Sequence, residues 1–231
     1  YYTINEYNNV FNSKFLDEYN IIETLGSGSI GQAYLIEDID NKEIYVMKVL
    51  HPSIIKDLQN FEDFLSFIKK IPKINNYLTD NFPFNNRGFI EQFKEQSNFI
   101  NESNNLLKFN DLYKDNDHII IPKLVKTSNS IIIMSYEEGI SYDKCELSLY
   151  KKSKVALLLG LFIRNNQELE NFNHGDLHQG NWKIRDEDNI IKLIIYDFGF
   201  CWKIENKSDL KYIDMLTKAL ESDCNNNDIS I

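Results

Sequence analysis

The chain has 231 residues, 42% of them hydrophobic and 13% aromatic, with a formal net charge of −10. That is enough apolar material for one large domain or two small lobes, and an acidic balance without a basic block argues against a nucleic-acid face. Cys145, Cys201 and Cys224 are too scattered for a disulfide framework or a zinc knuckle, so the chain reads as intracellular, from the cytosol or an organelle matrix.

Residues 1–20 lack the basic start and apolar core of a signal peptide. Residues 20–50 read as three strands: "IIETL", then a glycine turn, "QAYLIEDI", the turn "IDNKE", and "IYVMKVL". The period then changes. In "FEDFLSFIKK", Phe61, Phe64, Leu65 and Ile68 share one helical face, expected to pack as core. This helical insertion, 53–90, ends in a Pro/Asn-rich break, "TDNFPFNNRG", and a longer helix is expected over about 88–113.

Strand signals return in "HIIIPKLVKT" and "SIIIMSYEEG", a hairpin around "TSNS". From about 148 a helix carries the apolar run "VALLLGLFI", which is about half of what a bilayer span needs. The loop "HGDLHQGN" follows, then a β pair, "NWKI" and "IIKLIIYDFG", around "RDEDN". A helix over 207–222 and a polar tail complete the chain. The order predicts a single α+β domain of two lobes, a β-rich N-lobe over about 1–135 and a reduced helical C-lobe over about 136–231.

The chemistry concentrates in a few places. "LGSGSIGQAY" places Gly26, Ser27, Gly28, Ser29 and Gly31 between two strands with no helix after them. The spacing G-x-G-x-x-G suits a hairpin folding its backbone over phosphates, and the missing helix argues against a dinucleotide fold. Lys48 lies on the same strand face as Val46 and Leu50, where an ammonium needs an anion. Glu102 shares a helical face with Phe99, Leu106 and Phe109 and is its natural partner.

In the loop at 174–181, Asp176 suits the carboxylate that orients and deprotonates an acceptor, while Asn181 and Asp197 offer oxygen ligands of the kind Mg²⁺ takes. His174 is expected to brace the loop, and His178 to support Asp176 or approach a transferred phosphate. Val46, Met134 and Tyr136 are expected to line an adenine slot between the lobes.

Together these segments resemble a protein-kinase-like fold, specifically the atypical kinases of the UbiB/ADCK family. The marks are "SIGQAY", "VMKVLHP", "NESNNLLKF" (the family's Glu-Ala-x-Asn helix), "IIIMSYEEG", "HGDLHQGN" and "DFG", spanning about 20–203. The resemblance implies ATP and Mg²⁺ as cofactors, a Lys48–Glu102 ion pair, Asp176 as catalytic Asp, and Asn181 with Asp197 as metal ligands. It implies transfer of the γ-phosphate to a hydroxyl acceptor (small molecule, lipid or protein) or to water.

There are departures. The family's loop is alanine-rich where this one has Gly26 and Gly28. Its Lys-x-Gly-Gln segment has no counterpart in residues 1–25, and its Glu-x-Asp is here Gln96-Ser97-Asn98. Residues 200–231 contain no Ala-Pro-Glu, so the platform for a protein substrate is expected to be reduced. A second reading is therefore a nucleotide-binding pseudokinase scaffold with partner proteins in a larger assembly. A third is a small-molecule kinase, because "HGDLHQGN" also resembles the loop of aminoglycoside and choline kinases.

Overall fold

The structure, a computed structural model, describes residues 2–70, 93–187 and 190–204. The Pro/Asn-rich break, the helix expected over 207–222, the tail and Cys224 lie outside the described residues.

Helices α1 (Tyr2–Phe11) and α2 (Phe15–Glu18) lead into β1 (Tyr19–Ser27), β2 (Gly31–Asp38) and β3 (Ile44–Leu50). With β5 (Leu124–Thr127) and β6 (Ile131–Ser135) these strands form a five-stranded antiparallel sheet in the order β1-β2-β3-β6-β5. The three N-terminal strands and the hairpin around "TSNS" stand where alternation and turn residues place them.

Side-chain alternation gives the sheet two unlike faces. Met47 and Val49 of β3 point to the back, where they join Ile36, Ile131 and Ile133. Tyr7 and Phe15, both fully buried, cover them. Val46 and Leu50 point the other way, into the cluster holding Ile132 and Met134, and Lys48 shares their side.

The helical cover on the back was not anticipated, although Tyr7, Phe11 and Phe15 recur at fourfold spacing. It is tied down by polar bonds. Lys126 Nζ donates to Tyr7 OH at 2.9 Å and to the Glu18 carboxylate, and Phe15 N donates to Asn8 Oδ1 at 2.7 Å.

Between β3 and β5 the chain forms α3 (Ile54–Lys69), α4 (Phe99–Tyr113) and β4 (Ile119–Ile120). Three expectations are corrected here. The helix expected over 88–113 does not run through: its start at 88–92 lies outside the described residues, 93–96 is helical, and the chain breaks at 97–98, where Asn98 caps α4 by accepting from Ile100 N at 3.0 Å. The face of α3 expected to be core is open at Phe61 and Phe64, which are 42% and 57% exposed.

The third concerns "HIIIPKLVKT", which is not one strand of the hairpin. Pro122 lacks an N–H for a ladder, and β4 pairs in parallel with β9 (Ile190–Ile195) in a second sheet of order β4-β9-β8, with β8 spanning Trp182–Glu187.

The C-lobe gathers on α5 (Leu149–Glu168), which is capped by Ser148. α4 presents Phe109 to the centre, with ring centroids 5.8 Å from Phe162, 5.0 Å from Phe172 and 5.0 Å from Phe198. Leu50, Phe99 and Met134 belong to this same cluster, so one apolar core spans both lobes and fixes the cleft between them. A two-strand pair, β7 (Asn173–His174) with β10 (Cys201–Trp202), holds the loop after β7 against the Asp-Phe-Gly turn.

Candidate active site

The turn between β1 and β2 borders a cleft of about 560 Å³. Gly26, Ser27, Gly28, Ser29 and Gly31 line it from the loop, Lys48 and Glu102 from the N-lobe, and Asp176, His178, Asn181 and Asp197 from the C-lobe. Residues far apart in sequence thus converge on one space.

The loop's glycines differ in kind. A Cβ on Gly31 would sit 2.4 Å from the Val49 carbonyl oxygen, so Gly31 is required for β2 to approach β3. A Cβ on Gly26 would meet nothing within 4 Å, and one on Gly28 only the Gly31 carbonyl at 3.9 Å. Internal packing does not demand these two; their bareness leaves room over the cleft.

Lys48 Nζ donates to Glu102 Oε1 at 2.6 Å and lies 3.3 Å from Asp197 Oδ2. The Glu102 side chain is 3% exposed. Burial works against the Lys48 charge, but the Glu102 and Asp197 carboxylates outweigh it and hold the ammonium well above the ordinary lysine range. In return, Lys48 holds the Asp197 carboxyl below the usual carboxylate range against the opposing effect of burial.

Asp197 has φ 58°, a left-handed conformation that Asp tolerates better than most residues. Its Oδ1 accepts from Gly199 N at 3.3 Å. Phe198, fully buried, anchors the turn in the aromatic core, and its carbonyl accepts from Asn105 Nδ2 at 2.8 Å.

Two histidines have their tautomers fixed by geometry. His174 Nε2 donates to the Tyr196 carbonyl at 2.9 Å, and its Nδ1 accepts from Asp176 N at 3.3 Å. Burial lowers its pKa, despite the Tyr196 carbonyl and the nearby Asp197 and Asp176, so the ring is neutral as both bonds require. The expected brace is therefore a link from the Asp176 backbone to the residue before Asp197. His178 Nδ1 accepts from Gly180 N at 2.9 Å, which leaves the proton on Nε2, 3.7 Å from Asp176 Oδ2. Asn181 Nδ2 donates to the Asp176 carbonyl at 2.8 Å, leaving the amide oxygen available.

Val46, Met134 and Tyr136 are not brought to the lining of this cleft. Met134 is only 2% exposed and pairs across the ladder with Val46, where β6 buries four consecutive side chains.

A model of the ABC1 atypical kinase-like domain matches residues 5–228. The chain belongs to the ABC1 atypical kinase-like family. This ABC1 chain is similar to the probable serine/threonine-protein kinase abkC of Dictyostelium discoideum, 28% identical over 177 residues, or 72% of this chain and 25% of that one. It thus spans about a quarter of that relative's length.

Among solved structures, the complex of Rv3197 with erythromycin from Mycobacterium tuberculosis aligns at a TM-score of 0.65 and 17% identity, covering 87% of this chain and 52% of that one. The Rio2 kinase complex with ADP, Mg²⁺ and phosphoaspartate from Chaetomium thermophilum aligns at 0.52 and 17%, covering 86% and 53%. These likenesses show the kinase-like, two-lobed α+β fold.

Sequence reasoning left out Asn105 and His51. Asn105 stands three residues after Glu102 on the same helical side, the last position of the Glu-Ala-x-Asn pattern, so spacing alone could have found it. His51 follows the Lys48 strand and bonds the glycine loop, a contact that carries no periodic signal. Among the described residues no group of three or more His, Cys, Asp or Glu forms a metal cage, and no helix is long and apolar enough to cross a membrane.

Proposed function

We propose that this ABC1 chain binds ATP with Mg²⁺ in the cleft and transfers the γ-phosphate to a hydroxyl acceptor or to water. The observation that carries this is the convergence of the Lys48–Glu102 pair, Asp197, Asp176 and Asn181 on one space roofed by a bare glycine loop. The donor set fits a hard cation: a carboxylate on Asp197 and an amide oxygen on Asn181, too few to form a cage without phosphate oxygens. Bound Mg²⁺ supplies neutralisation of phosphate charge.

The chain's own residues do the rest. Lys48, kept charged and aimed by Glu102, holds the phosphates. Asp176, its backbone fixed through His174 and its carboxylate beside the His178 Nε2–H, orients the acceptor hydroxyl and takes its proton.

One observation favours a second reading, a nucleotide-binding scaffold: Gln96, which borders the cleft, and Asn98 stand where the resembled family carries the carboxylates of its Glu-x-Asp. Mg-ATP at a hundredfold excess over its dissociation constant should stabilise the protein by about 2.7 kcal/mol in a thermal-shift assay. That gain should need Mg²⁺ and be lost in Asp197→Asn. Asp176→Asn should retain it while turnover drops by about 10²–10⁴. Binding without turnover in the wild type would select the scaffold, and no binding would remove both readings.

A further inference from the structure

The glycine loop is held from outside by a residue that does not line the cleft. His51 follows β3 directly, and its Nε2 lies 3.0 Å from the Gly28 carbonyl oxygen and 3.4 Å from Ser27 Oγ. A carbonyl only accepts, so the His51 proton is on Nε2 and is donated to Gly28. The His51 backbone N–H also donates to the Ile30 carbonyl at 2.9 Å, so the residue grips the loop at two points.

The consequence follows from peptide geometry. Among the described residues no peptide bond is cis, and in a trans unit the carbonyl and the next N–H point in opposite directions. Turning the Gly28 carbonyl towards His51 therefore turns the Ser29 N–H away from it, and Ser29 lines the cleft whereas His51 does not. The Gly28 N–H is already used, donating to the Gly31 carbonyl at 2.9 Å. Among the described residues the Ser29 N–H has no acceptor. Gly28, with free space around it, lets the peptide take this setting.

We propose that His51 is a positioning residue for phosphate: by holding the Gly28 carbonyl, it presets the Ser29 N–H as a donor to a phosphate oxygen of the bound nucleotide. The proposal rests on the nucleotide reading above. Lys48 meets the phosphates as a charge on a flexible stem, whereas the Ser29 N–H meets them as a fixed backbone donor. The same β3 segment would then serve both contacts, one through Lys48 and one through the loop that His51 holds.

The test compares wild type, His51→Leu and His51→Gln by calorimetry with Mg-ATP, Mg-ADP and adenosine, and by hydrogen exchange of the Gly28 amide without ligand. His51→Leu should weaken both phosphate-bearing ligands about tenfold, the scale of one charge-assisted hydrogen bond, and leave adenosine unchanged. His51→Gln, which keeps a donor, should recover most of the loss. Gly28 exchange should quicken in the Leu variant and slow again in the Gln variant. Equal losses for adenosine and ATP, or no loss in the Leu variant, would overturn the proposal. If the wild type binds no nucleotide, the nucleotide reading fails by itself. Unchanged Gly28 exchange in His51→Leu would then show that the clasp does not exist.

Discussion

The two faces of the N-lobe sheet are built from the same strands and do opposite work. On the back, Met47, Val49, Ile131 and Ile133 lie under Tyr7 and Phe15, and a nearby cation, Lys126, anchors α1 and α2. On the front, the alternate residues of β3 include Lys48, whose charge is matched by Glu102 from a different element and by Asp197 from the other lobe. The back face can be largely apolar because its partners are apolar side chains of α1 and α2. The front must carry a buried charge, and that charge is tolerable only because two carboxylates meet it. Stability and chemistry are thus divided by a period of two along one strand.

The division can be broken most severely at Glu102. Glu102→Ala removes one partner of a buried pair, which should cost about 3–5 kcal/mol of stability. It should abolish nucleotide-dependent turnover as well, since Lys48 would then lean on Asp197 alone. Chemical denaturation and an ATP-turnover assay on the folded fraction would check both; a variant that kept turnover would separate the pair from the chemistry. The converse change is Phe15→Ala on the back. Truncating a fully buried phenylalanine should cost at least about 3 kcal/mol, with turnover per folded molecule and Mg-ATP affinity unchanged. A fall in affinity would mean that the two faces communicate.

The front face was more legible than the back. Alternation placed Lys48 beside Val46 and Leu50, and the helical period placed Glu102 among Phe99, Leu106 and Phe109; burial of 4%, 0% and 0% for these three bears that face out. The loop at 174–181 and the Asp-Phe-Gly turn could be read because their residue types are chemically unusual together.

What escaped has physical causes. Tyr7, Phe11 and Phe15 carried a helical period, but a period does not say which surface it meets. Asn98 was a cap residue inside what looked like continuous periodicity, and Pro122 split a β-rich run between two sheets. The exposed Phe61 and Phe64 show the reverse error, since amphipathic spacing by itself does not bury a face. His51 and His174 act through backbone carbonyls, and no sequence pattern names those.

His174 offers the finest test, because it links Asp176 to the strand before Asp197 through one neutral ring. In an unfolded chain its pKa is about 6.5, and in the fold it is lower, chiefly because burial disfavours the charged ring. A group with a depressed folded pKa stabilises the fold fully above its unfolded value, and that contribution is lost as pH falls through the folded value. The charged ring would also have no lone pair for the Asp176 N–H.

His174→Gln keeps a donor for the Tyr196 carbonyl but has no proton to take up. Wild type should therefore be the more stable at pH 7.5, and its advantage should shrink steadily towards pH 5. Every other ionisable residue is common to both proteins, so the difference between their melting temperatures isolates this ring. Curves that stay parallel from pH 7.5 to 5 would mean that His174 is neither buried neutral nor the link between Asp176 and the strand before Asp197.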